Sequence, residues 1–84
     1  MNDEQLSEMV SELNRGAELI DTSETDYEKL PGAAIISRVG RALAEAGGKE
    51  LLEQAHAKVD PQFQRTIDLQ WYGLADTNGN QWLP

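Results

Sequence analysis

Apolar residues recur every three or four positions along most of the chain, which is the period of amphipathic helices. Leu6, Met9, Val10, Leu13, Ala17 and Ile20 fall within about 100° of a helical wheel and predict a first helix over residues 3–20. Asn2 with Gln5 has the spacing of a capping box, and Asp3 and Glu4 suit the positive end of the helix dipole. Residues 21–26 lack periodicity and read as a loop. Thr25 with Glu28 repeats the capping-box spacing and predicts a short helical turn near residues 26–30. Pro31 is expected to end that turn, because proline disfavours the α conformation in the residue before it. Tyr27 and Leu30 would then pin the loop onto the core.

The most apolar run covers residues 35–48. Ile35, Ile36, Val39, Ala42, Leu43 and Ala46 span about 120° of the wheel and predict a central helix over 33–46. Gly40 borders that face and marks a place of close approach by a neighbouring helix. Gly47 suits the left-handed position after a helix end and Gly48 adds a sharp reversal, and Leu51, Leu52, Ala55 and Val59 predict a helix over 49–59. Asp60-Pro61 is a restart signal, opening a helix over 61–74 with Phe63, Ile67, Trp71 and Leu74 on one stripe. Leu69 and Tyr72 point elsewhere, which is more apolar surface than a surface helix of a monomer needs. Asn78-Gly79 marks a turn, after which Trp82 and Leu83 are expected to fold back over Leu69 and Tyr72. The expectation is an all-α bundle of about four helices, with a short helical turn near 26–30 and an irregular C-terminal tail. Trp71 and Trp82 would seal one end. It forms one domain, residues 1–84, whose acidic N-terminal helix and loop (1–30) pack on a helical core (31–84).

Charge changes this picture in one respect. Residues 1–28 hold nine acids and one base, whereas residues 29–84 hold six of each. The whole net charge of −8 thus belongs to the N-terminal third. A field of that sign repels nucleic acid and anionic membrane and could attract a basic partner. Arg38 and Arg41 are the only clustered cations, and they are expected to pair with acids of the first helix, within one chain or across two. Glu50 and Glu53 would turn acid toward phosphates, which disfavours reading the Gly47-Gly48 corner as a DNA-binding helix-turn-helix. At 84 residues the chain buries roughly 60–65% of its unfolded surface. With no cysteine to staple it, self-association is the expected supplement. The acidic N-terminus lacks the pattern of a signal peptide, no run is apolar enough to span a bilayer, and a cytoplasmic location is expected.

Candidate chemistry is sparse. Glu53-Gln54-Ala55-His56 has the Glu-x-x-His spacing that places two metal ligands on one helix face. Asp76, Asn78 and Asn80 have the 1, 3, 5 spacing that opens a calcium loop. Position six of that loop is Gln81, not glycine, and the glutamate of position twelve is missing. His56 is the only histidine, and there is no cysteine, nucleophile elbow or phosphate loop to accompany it. No cofactor is indicated. The expectation is a non-catalytic interaction or accessory protein, with a protein partner or a second copy. Arg38, Arg41, Leu69, Tyr72 and Trp82 are its interface candidates. An acidic inhibitor or DNA mimic that binds a basic partner is the alternative, and a weak metal-binding protein is the second. Arg38-Val39-Gly40 with Leu43, then Gly47-Gly48, His56, Trp71-Tyr72-Gly73-Leu74 and Trp82, loosely resembles a pattern of small bacterial proteins of unassigned function over residues 35–82. That resemblance implies an all-helical protein and no site.

Overall fold

The computed structural model describes residues 1–83 and is all-helical. Helix α1 spans Asp3–Thr22. Its start is the reciprocal box expected from the sequence: Gln5 N–H donates to Asn2 Oδ1 at 2.8 Å, and Asn2 N–H donates to Gln5 Oε1 at 3.1 Å. Leu6, Val10, Leu13, Ala17 and Ile20 enter the core. Thr22 Oγ1 donates to the Glu18 carbonyl at 2.7 Å, and Ser23 Oγ donates to the Leu19 carbonyl. These hydroxyls occupy last-turn carbonyls, so the helix runs two residues past the expected end.

Helix α2 spans Asp26–Lys58, and here the expected element count changes. The helical turn near 26–30, the helix over 33–46 and the helix over 49–59 form one element interrupted at a single residue. Three helices are therefore assigned where about four and a turn were expected. Thr25 caps the start by accepting the Glu28 N–H at 3.2 Å. Pro31 does not end this helix but lies within it. Its missing N–H deprives only the carbonyl of Tyr27, four residues back and next to the helix start. Tyr27 is 82% exposed, so water reaches that end. At Gly48 the backbone turns to φ 67°, ψ −160°, a region closed to residues with a side chain. The left-handed residue is thus Gly48 and not the expected Gly47, and the expected stop is a kink after which the chain resumes its helix at once.

Tyr27 and Leu30 are exposed and pin nothing. The junction of α1 and α2 is held instead by two glycines that the apolar pattern does not single out. A methyl group on Gly16 would lie 3.0 Å from both the Gly32 carbonyl oxygen and Ile36 Cγ1. One on Gly32 would lie 2.9 Å from Ile20 Cγ1 and would collide with the Gly16 carbonyl. The two backbones meet where both lack a side chain. Gly40, the expected meeting point of helices, receives a tryptophan ring instead.

Helix α3 spans Pro61–Trp71, three residues shorter than the expected 61–74. The chain then reverses. Gly73 has φ 79°, its N–H donates to the Trp82 carbonyl at 2.8 Å, and Trp82 N–H donates to the Leu74 carbonyl at 2.8 Å. An isolated antiparallel bridge joins Ala75 and Gln81. Backbone groups that would extend α3 pair with the tail instead. Asp60 makes no side-chain cap; its own N–H donates to Asn14 Oδ1 of α1 at 3.0 Å. Thr66 Oγ1 donates to Asp21 Oδ1 at 2.7 Å, a second tie between α3 and α1. One buried cluster includes Leu13, Ile36, Leu43, Leu52, Ile67 and Trp71.

Gly32→Ala tests the α1–α2 contact. Overpacking of this kind costs about 1–3 kcal/mol, and alanine returns about 1 kcal/mol of helix propensity. A net loss of up to about 2 kcal/mol is expected in urea denaturation, whereas a more stable variant would show that the backbones do not meet.

Candidate functional site

Two carboxylates hold the C-terminal tail, and the sequence pattern signals only one of them. Asp68, on α3, has its Oδ1 2.9 Å from His56 Nε2 and 3.1 Å from Trp82 Nε1. His56 Nε2 also lies 3.3 Å from the Gln64 carbonyl. Both of its partners are acceptors, which assigns the ring hydrogen to Nε2. The Gln64 amide returns hydrogen bonds to the carbonyls of His56 and Val59. The imidazole centroid is 5.2 Å from that of Trp82 and 6.4 Å from that of Trp71. The two indoles meet edge to face at 5.2 Å, a favourable arrangement for aromatic pairs. Trp71 completes the node by donating from Nε1 to the Ile36 carbonyl at 3.1 Å. A methyl on Gly40 would stand 2.9 Å from its Cδ1 and displace the ring.

Trp71 and Trp82 therefore seal one end, as expected, but by another route. Trp82 packs on Trp71 and His56, and it leaves Leu69 and Tyr72 uncovered. It belongs to the core and is unavailable as an interface group. Among the described residues no serine or threonine is hydrogen-bonded to His56; Asp68 joins His56 of α2 to Trp82 of the tail and so latches the tail in place. Glu53 is exposed and takes no part in it. Asp68 and Gln64 are one helical turn apart beside the buried Ile67, and that i, i+4 pairing at the edge of the α3 stripe was the one available clue to them.

Asp76 is the second carboxylate. Oδ2 accepts the Lys49 N–H at 3.1 Å and the Asn80 amide at 3.3 Å. Oδ1 accepts the N–H groups of Asn78 and Asn80, each at 2.9 Å. Asp76 thus caps the second segment of α2 directly after the Gly48 kink. Partial loss of water pushes its pKa upward. The N–H groups of Asn80, Lys49 and Asn78, together with the Asn80 amide, outweigh that effect and hold the pKa below the ordinary value of 3.8. Asp76, Asn78 and Asn80 do come together, yet as donors around one acceptor, an arrangement that a cation would have to dismantle. Among the described residues no three His, Asp or Glu side chains gather as a metal site.

Arg38 pairs with Glu12 at 3.1 Å within the chain. Arg41 makes no ion pair among the described residues. It borders a cleft of about 360 Å³ that Ser37, Gln70, Tyr72 and Leu74 also line. Three large apolar side chains of this end of the chain face solvent: Leu69 is 62%, Tyr72 68% and Leu83 60% exposed. Leu69 lies on the last turn of α3 and Tyr72 is its C-cap residue, while Leu83 follows Trp82 in the returning tail. No helix is long and apolar enough to cross a membrane. Comparisons with protein-family models, curated proteins and solved structures found no match.

Two outcomes follow from the carboxylates. Folding lowers the Asp76 pKa, so its contribution is complete above about pH 4 and is lost as pH falls through the lower folded value. Near-ultraviolet circular dichroism should report tail release across that window. Asp76→Asn should remove this step and lower the stability at pH 7, because its amide N–H would face donors already aimed at the carboxylate. Asp68→Ala strips Trp82 and His56 of their shared acceptor. A loss of about 1–3 kcal/mol and a changed tryptophan emission spectrum are expected, and wild-type emission would refute the latch.

Proposed function

We propose that the protein is a small, non-catalytic interaction module that self-associates through the outward side of α3 and the adjoining tail. The observation that carries this reading is the exposure of three large apolar side chains, Leu69, Tyr72 and Leu83, at the end of α3 and in the tail that returns to it. Burying a large apolar side chain contributes about 1.5–3 kcal/mol, so burial of these three by a partner copy, repeated across a two-fold axis, would supply the apolar core of a dimer interface. Tyrosine and arginine are enriched among the residues that dominate binding energy, and Tyr72 lies beside the unpaired Arg41. Arg38 is not part of this face, since Glu12 of its own chain engages it. The absence of a nucleophile at His56 and the commitment of Asp68 and Asp76 to holding the tail favour binding over catalysis.

Sedimentation velocity across a concentration series tests the proposal. A dimer is expected that dissociates in Leu69→Lys and Tyr72→Lys, while the thermal melt of the monomer is retained. A strict monomer at high micromolar concentration would overturn it.

A further inference from the structure

We infer that a second surface, the groove between the first half of α1 and the end of the first segment of α2, docks a basic amphipathic helix of another protein. Leu6, Val10 and Leu13 turn into the core, and the next strip of α1 carries Gln5, Glu8, Met9 and Glu12. With Met1 and with Ala46 of α2, that strip lines a cleft of about 700 Å³. Met1 is 49% exposed and Met9 half-buried. The chain has only two methionines, and both line this groove. Unbranched, polarizable thioethers adapt to varied apolar partners, and they are over-represented on surfaces that accept amphipathic helices.

Charge decides what the occupant is. The groove lies in the acidic third, which holds the entire net charge of −8. Glu12 is engaged by Arg38, whereas Glu4 and Glu8 make no ion pair among the described residues. A second copy fits poorly: its α1 would be repelled, and its residues 29–84 carry no net charge. An apolar floor with an acidic rim calls for a ligand of the opposite pattern, apolar on one face and rich in lysine or arginine on the other. The wall from Gln5 to Glu12 covers about two helical turns, roughly 10 Å, the length of a short helical anchor. The ties between α1 and the α3 region, at Asn14 and Asp21, lie beyond this wall and leave it free. The inference does not depend on the α3 face, and either surface can fail without the other.

The test uses the full chain with ¹³C-methyl methionine and two probes: a synthetic leucine–lysine amphipathic helical peptide and its leucine–glutamate counterpart. Both methionine methyl resonances should shift and saturate with the lysine peptide, and neither with the glutamate peptide. Glu8→Lys should weaken binding about tenfold, whereas Glu24→Lys, the same charge change in the loop, should alter it less than about twofold. Methyl signals that stay in place, whether or not heat of binding is released, would overturn the inference. Equal weakening by the two variants would also overturn it, because the attraction would then be diffuse charge. The methyl readout is taken on the wild-type chain and does not rely on any variant folding.

Discussion

An indole can reach the carbonyl of a neighbouring helix only where that helix offers no side chain in its path. Gly40 is that opening: Trp71 lies against it and donates to Ile36 of the preceding turn. This contact fixes where α3 ends on α2. Because Trp71 is held there, Trp82 has an edge to pack against, and the tail has a reason to reverse after Gly73. The buried carbonyl gains a second hydrogen bond, and the indole N–H is satisfied inside the core, where an unpaired donor would be costly.

The tail is then fastened by two carboxylates as well as by the burial of Trp82. Asp68 gathers His56 and Trp82 on one side, and Asp76 gathers the loop and Lys49 on the other. The second fastening depends on the Gly48 kink, because a continuous helix would already have supplied a carbonyl to the Lys49 N–H. Kink and tail are therefore one device: Gly48 frees the Lys49 N–H, and Asp76, carried back across the corner by the reversal of residues 73–82, accepts it. A small chain without disulfides thus orders its last residues with polar bonds whose strength depends on the charge of two acids.

With those groups committed, what remains for partners is surface. Two faces differ in chemistry. One exposes Leu69, Tyr72 and Leu83 near the end of α3 and is the surface proposed for self-association. The other combines two methionines with Glu8 and the Arg38-paired Glu12 and is the surface proposed for a cationic helix. The chain's only histidine is meanwhile engaged by an aspartate and a glutamine carbonyl and packed against two indoles.

Local signals in the sequence determined the helical class, the starts of all three helices, the break at Gly48 and the core stripes of α1 and α3. Capping boxes, a proline at a first helical position and 3.6-residue periodicity act over a few residues, so they can be read without a partner. Pro31 misled because its cost depends on what lies four residues back, an exposed end that water reaches. The pairing of Gly16 with Gly32, the use of Gly40 by Trp71 and the convergence of His56, Asp68 and Trp82 were decided by tertiary structure. Each joins residues from separate elements, and no periodicity records which distant side chain will fill a gap or which carboxylate will meet a free N–H.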